Sequence, residues 1–163
     1  MTDDAPPPVE ATRRATAEDI ATLVELAKAA IEEKRTQKGG ELWARRERRR
    51  DPLADSFAAA VAADDQVVLV GTLDDVAVGF GAAHLETLAD GGVLGVVDEV
   101  YVDPGAREVG LGELVMETLV GWCAQQGCFG VDSLALPGDR ATKNFFESFG
   151  LVARAIVVHR PLS

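Results

Sequence analysis

The chain has 163 residues, 47% apolar and 26% charged, proportions that fit one soluble globular domain and exclude a disordered polymer. Sixteen Lys and Arg stand against 27 Asp and Glu, a formal charge of −11, which disfavours nucleic acid and favours cationic partners such as amines. No apolar run approaches the ~18 residues of a membrane span, and the start Met1–Pro8 is acidic and Pro-rich where a secretory signal would be basic and then apolar, so a cytoplasmic protein with no membrane partner is expected.

Residues 1–8 read as a mobile tail and 9–163 as the domain. Glu10 to Ala15 suits a short first strand. Thr16 is a plausible N-cap, with Asp19 three residues on giving a partial capping box. Ile20, Leu23, Val24, Ala27 and Ile31 then recur at helical spacing, which predicts a helix to about Arg35. Gly39-Gly40 breaks that pattern, and an arginine-rich run with Arg45, Arg46, Arg48, Arg49 and Arg50 leads to Asp51-Pro52. A second helix opens there and ends near Asp64-Asp65.

Beyond it the period changes. Gln66–Leu73 and Val76–Glu86 are β-branched apolar runs joined at Asp74-Asp75, which predicts a hairpin. Ala89–Gly92 turns the chain into a strand over Val93–Val102, stopped by Asp103-Pro104-Gly105. Leu111, Leu114, Val115, Thr118, Leu119 and Trp122 form the apolar stripe of a long helix that Gly127 can end. A strand over Phe129–Leu136, a short helix over Ala141–Phe149 and a last strand over Leu151–His159 complete the order β, α, α, β, β, β, α, β, α, β, an α+β arrangement. Cys123 and Cys128 lie five residues apart, too awkward to bridge within one helix. With no second pair at metal-ligand spacing, they read as reduced packing residues, and no metal is expected.

One segment carries chemistry. A strand runs into Asp103-Pro104-Gly105-Ala106, then Arg107-Glu108-Val109-Gly110-Leu111-Gly112, then the long helix. Glycines at such a turn let the backbone approach a ligand, and the first helical N–H groups have no internal partner, so the turn suits a phosphate or pyrophosphate. The P-loop string is absent. The dinucleotide pattern fails because its third glycine would fall at Val115.

The string fits Arg/Gln-x-x-Gly-x-Gly/Ala and resembles the acyl-CoA pyrophosphate loop of the GNAT superfamily of N-acetyltransferases. Glu99-Val100-Tyr101-Val102-Asp103-Pro104 resembles the strand that leads into that loop. Asn144-Phe145-Phe146-Glu147-Ser148-Phe149-Gly150-Leu151 resembles the family's C-terminal motif. The resemblance spans about residues 10 to 160. It implies a mixed, mostly antiparallel sheet flanked by helices, with the fourth and fifth strands splayed apart to take the pantetheine arm of acetyl-CoA.

Carried over residue by residue, Val100, Tyr101 and Val102 of the strand would bind that arm, and the loop from Arg107 through Glu108, Val109, Gly110 and Leu111 to Gly112 would hold the pyrophosphate. Asn144 and Phe146 would lie on the pantetheine side. An alkyl amine of pKa near ~10 is mostly protonated at neutral pH, so a base must help. Glu99 stands where many relatives carry such a base. A strand N–H near Val100 could stabilise the oxyanion. Phe146 fills the slot where relatives use a Tyr as general acid, so that acid is missing, with Tyr101 or water as substitutes. The Phe also motivates a rival reading, a non-catalytic acyl-CoA-binding or sensing module.

His84, on a predicted strand, could touch an acceptor but reads first as a hydrogen-bonded sheet histidine, and His159 is a weaker candidate. Trp43 could line an acceptor pocket. The arginine run could bind an anion or be a solvated helix face. Asp139-Arg140 reads as a helix cap. Neither the acceptor nor the acyl length is encoded in a local motif, and a homodimer is a family-level option.

Overall fold

The computed structural model describes residues 5–107 and 109–163. Five strands form one sheet in the order β1 (Glu10–Arg14), β2 (Gln66–Leu73), β3 (Val76–Thr87), β4 (Val93–Val102) and β5 (Gly130–Ser133). Neighbours are antiparallel except β4 and β5, which run parallel. The β2–β3 hairpin turns on Asp74 and Asp75, both at positive φ (46° and 65°), the backbone of a tight hairpin turn that Asp tolerates. Asp74 also closes the start of β1, because its carboxylate accepts from the Val9 N–H at 2.9 Å.

The helices are α1 (Ile20–Arg35), α2 (Gly40–Arg46), α3 (Leu53–Ala62), α4 (Leu111–Gln125) and α5 (Arg140–Ser148). The capping box forms ahead of α1, where the Asp19 carboxylate accepts from the Thr16 N–H at 2.8 Å. The apolar run of β2 is buried on both faces, as its composition requires. Val68 and Val70 meet Leu23, Ala27 and Phe57 of α1 and α3 on one side. Val67 and Leu69 meet Val115, Met116 and Leu119 of α4 on the other. Long α4 comes unusually near the sheet over glycines. A Cβ built on Gly81 would lie 2.5 Å from Val115 Cγ1 and 2.9 Å from Leu119 Cδ1, and one on Gly95 would lie 2.5 Å from Cys123 Sγ. Cys123 and Cys128 are both free thiols, the first buried.

Three elements differ from the sequence-based expectation. The stretch before Arg48 is a helix of its own, α2, entered through Gly39 in the left-handed region. The strand expected over Phe129–Leu136 is a strand only over Gly130–Ser133, with the Phe129 N–H adding a bond to the Val93 carbonyl at 2.9 Å, and its pairing with β4 stops at Val97–Ser133. The strand expected over Leu151–His159 does not join the sheet. The Leu151 N–H bonds to the Phe146 carbonyl at 3.1 Å, and among the described residues no backbone hydrogen bond is made by 152–163. Strand propensity is present in that segment, but no backbone partner among the described residues meets it.

The tight α4–sheet contact yields a paired prediction. Gly81→Ala should destabilise the fold by ~1–3 kcal/mol through overpacking. Gly121→Ala, in α4 with nothing within 4 Å of the new Cβ, should stabilise it by roughly 0.5–1 kcal/mol. Urea denaturation midpoints of the two variants and the parent measure both.

Candidate active site

The site begins with one extra residue in β4. Ala83 of β3 opposes Val97, and the next β3 residue, Ala82, opposes Glu99, so Asp98 is the inserted residue of a β-bulge. A bulge breaks the strict alternation of a strand and re-aims its side chains. Asp98 and Glu99, which a regular strand would send to opposite faces, therefore border the same open space. The bulge is also where β4 and β5 part. Their pairing runs from Leu94–Gly130 to Val97–Ser133 and stops, while β4 stays on β3 as far as Val102–Gly79.

Two connected cavities result. The first, an open cleft of about 420 Å³, lies between the Glu47–Arg50 loop, Trp43, His84 and the two carboxylates. The second, about 110 Å³, fills the gap between the splayed strands, against Lys34, Val100, Tyr101, Ser133, Leu134 and Phe146. Trp43, Asp98 and Glu99 border both, so Glu99 sits at their junction.

The Glu99 side chain is only 18% exposed. Arg49 reaches across from the α2–α3 loop, its Nε donating to Oε1 at 2.9 Å and a terminal nitrogen donating to the same oxygen. The guanidinium also donates to Ser56 Oγ at 3.1 Å and stacks 4.0 Å above the Phe57 ring. Oε2 has no protein partner among the described residues, yet it is not sealed from the cleft. Burial pushes the Glu99 carboxyl above its ordinary value, and Arg49 offsets part of that push. Burial likewise lowers the Lys34 ammonium, whose Nζ lies 4.7 Å over the Trp43 ring. It raises Tyr101. His84 Nδ1 pairs with Asp98 Oδ2 at 2.6 Å, and that hydrogen bond lifts the imidazole above 6.5.

At the far end of β4, Asp103 accepts from the Gly105 N–H at 3.1 Å and shapes the turn into α4. Gly110 holds φ 86° at the helix entrance, where the Glu10 carboxylate would stand 3.0 Å from a Cβ, so the position suits glycine twice over. No described backbone or side-chain group accepts from the N–H groups of Gly110, Leu111, Gly112 or Glu113. Expected loop residue Glu108 lies outside the described residues. Arg107 turns back from the loop. Its Nε donates to the Val102 carbonyl at 2.8 Å, and its far end donates to Glu33 of α1 at 2.8 Å.

Of the residues singled out in the sequence, Glu99, Val100, Tyr101 and Phe146 gather around the gap, and His84 and Trp43 line the open cleft. Val102 is buried, with its carbonyl already taken by Arg107. Asn144 is exposed on α5 and borders neither cavity. Asp139 caps α5, its carboxylate accepting from the Thr142 N–H at 3.0 Å. Three contributors escaped sequence reasoning. Lys34 has no motif to mark it. Arg49 was one of five similar arginines. Asp98 carried a signal, since two adjacent acids inside an apolar strand break its alternation.

The sequence matches the Acetyltransferase (GNAT) family over residues 24–151, and the chain belongs to that family. Its fold is similar to that of a Bacillus halodurans protein crystallised as a tetramutant, with TM-score 0.77 and 20% identity over 93% of this chain and 99% of that one. It is also similar to glucosamine-6-phosphate N-acetyltransferase from Arabidopsis thaliana, with TM-score 0.67 and 22% identity over 95% and 99% of the two chains. A soil-metagenome aminoglycoside acetyltransferase solved with sisomicin gives TM-score 0.70 and 16% identity over 94% and 95%. None of the curated proteins matches the chain.

The His84–Asp98 pair gives a pH prediction. Because the fold favours protonated His84, the pair stabilises it below about 6.5, and that contribution is lost as pH rises through the higher folded value. An NMR titration of His84 should therefore show a midpoint above 6.5 that falls back in Asp98→Asn.

Proposed function

We propose that the chain transfers an acetyl group from acetyl-CoA to a primary amine, with Glu99 as the proton acceptor. The observation that carries this reading is the position of Glu99 at the junction of the gap and the open cleft, with Oε1 clamped by Arg49 and Oε2 free. Acetyl-CoA is the donor substrate in this reading. Its pyrophosphate would meet the N–H groups of Gly110, Leu111 and Gly112 at the start of α4, its pantetheine arm would run along Val100 and Tyr101, and its thioester would reach the level of Glu99. The acceptor amine would enter from the open cleft past Trp43 and His84.

The amine nitrogen attacks the thioester carbonyl and surrenders a proton to Glu99, directly or through water. The C–S bond breaks, and the departing thiolate needs a proton that Phe146 cannot give. Lys34 and Tyr101 border the same cavity and can supply it. Burial lowers the Lys34 pKa and raises that of Tyr101, which favours Lys34 for this role. An acidic chain favours a cationic acceptor. The domain in this reading covers 9–163. Its place is the cytoplasm, which the two free thiols support.

Phe146 favours one rival, a sensing module that binds acyl-CoA without turnover. Calorimetry with coenzyme A and a thiol-release assay over a panel of amines separate the two. Coenzyme A should bind. Glu99→Gln should keep that binding and lose ~10²–10⁴-fold in kcat. Binding of coenzyme A with no turnover of any amine would favour the module, turnover indifferent to Glu99→Gln would overturn the role of Glu99, and no heat with coenzyme A would overturn both readings. The wild-type rate should fall as pH rises through the Lys34 pKa, and Lys34→Met should lower kcat and remove that limb of the profile.

A further inference from the structure

The open cleft does not share the chain's surplus of acid. The whole chain carries −11, yet Arg48, Arg49, Arg50 and His84 stand along the cleft wall with Glu47, Asp65, Asp98 and Glu99, four basic groups against four acidic ones. Most of these groups are already matched. Arg49 holds Glu99, and His84 holds Asp98. Arg48 is bound by Asp51, and Glu47 lies 3.6 Å from Arg46, both of them partners from outside the cleft lining.

Two groups of opposite sign are left. Among the described residues the Arg50 guanidinium pairs with no carboxylate, although four carboxylates line the same cleft. Its neighbours are held: Arg49 by Glu99, Ser56 and the Phe57 ring, and Asp51 by Arg48. The backbone at Arg50 is therefore fixed on both sides while its charged end stays open, a preorganised donor. The Asp65 carboxylate likewise has no side-chain partner among the described residues, and its backbone carbonyl accepts from the Leu85 N–H at 2.9 Å. Neither residue borders the gap between β4 and β5, so both lie outward of Glu99 in the cleft.

We propose that the acceptor is a zwitterion, a small primary amine that also carries a carboxylate or a phosphate, and that Arg50 reads its anionic group. The inference names the acceptor of the acyl-transfer reading and rests on it. A planar guanidinium meets either oxyanion with two parallel hydrogen bonds. Asp65 draws the ammonium inward, and the amine goes on to the open oxygen of Glu99 while the anion stays at Arg50. The reverse entry would press an anion against Asp98 and Glu99, so the charges also set which end arrives at the thioester. A cleft of about 420 Å³ is on the scale of small-molecule sites. A polyamine would suit the net charge of the chain but not that of the cleft, where it would set a like charge beside Arg50.

Steady-state kinetics with acetyl-CoA test it on acceptors of equal length: an aminoalkyl carboxylate, an aminoalkyl phosphate, the plain alkylamine and the terminal diamine. Each is also titrated into the protein by calorimetry. The better zwitterion should exceed the alkylamine by roughly 10–100-fold in kcat/KM and the diamine by at least as much, and the two zwitterions show which anion is read. Arg50→Gln should bring that ratio toward one, mainly through the KM of the zwitterion, and Arg50→Lys should restore part of it. Arg50 is exposed, so the circular dichroism of both variants should match the parent. An alkylamine or diamine used as well as the zwitterions, or a ratio that Arg50→Gln leaves intact, would overturn the proposal and leave acyl transfer standing. Zwitterion binding that depends on Arg50, with no turnover of any amine, would uphold the anion site and overturn acyl transfer. Neither heat nor turnover with the zwitterions would sink the proposal outright.

Discussion

One inserted residue in β4 governs the architecture of the site. Without the bulge at Asp98, the pairing of β4 and β5 could run on past Val97–Ser133, and the space now lined by Val100, Tyr101 and Phe146 would be closed by ladder hydrogen bonds. Register fixes the facing of every side chain beyond the bulge. A strand without it would carry Asp98 and Glu99 to opposite faces, one of them into the apolar contact with α4. The same local irregularity thus opens a gap and places a carboxylate at its mouth. Neither consequence needs help from the loops, which is why a short strand such as β5 suffices as the second wall.

A carboxylate held this way would be a liability on its own. Removing a charged group from water costs several kcal/mol, and a single partner rarely repays it in full. Arg49 makes the arrangement viable because it is itself fixed from three sides, by Glu99, by Ser56 and by the ring of Phe57. It spends both of its Glu99 contacts on one oxygen, which leaves the other oxygen available to a substrate or water. Lys34 and the His84–Asp98 pair add charge of both signs around the same opening. The cleft is therefore polar where it meets solvent and apolar where it enters the sheet. That gradient suits a substrate that must bring a charged head to the surface and shed a proton further in.

Much of this was legible in the sequence, and the parts that were not share a cause. The apolar runs of β2 and β3, the stripe of α4 and the Gly110 turn each announce themselves because their signals are local. Glu99 could be named from its distance to the loop. Its partner Arg49 is 50 residues away in sequence, and nothing local distinguishes it from Arg48 or Arg50. Lys34 is likewise an ordinary helix residue until α2 folds over it. Asn144, in the motif that resembles a binding element, is exposed on α5, on the face opposite the one that buries Phe146.

The C-terminal segment marks where propensity stops being sufficient. Its β-branched residues predict a strand, and the prediction fails inside one chain for want of a hydrogen-bonding partner, not for want of the right residues. A strand is a relation between two backbones, whereas a helix satisfies its own, so local composition can specify α4 completely and 152–159 only conditionally. The condition lies outside the segment, in an edge to pair with. β5 carries an open outer edge beside the position where Arg154 holds Asp132, yet the described backbone of 152–163 makes no bond to it, so residues of strand propensity stay without a strand.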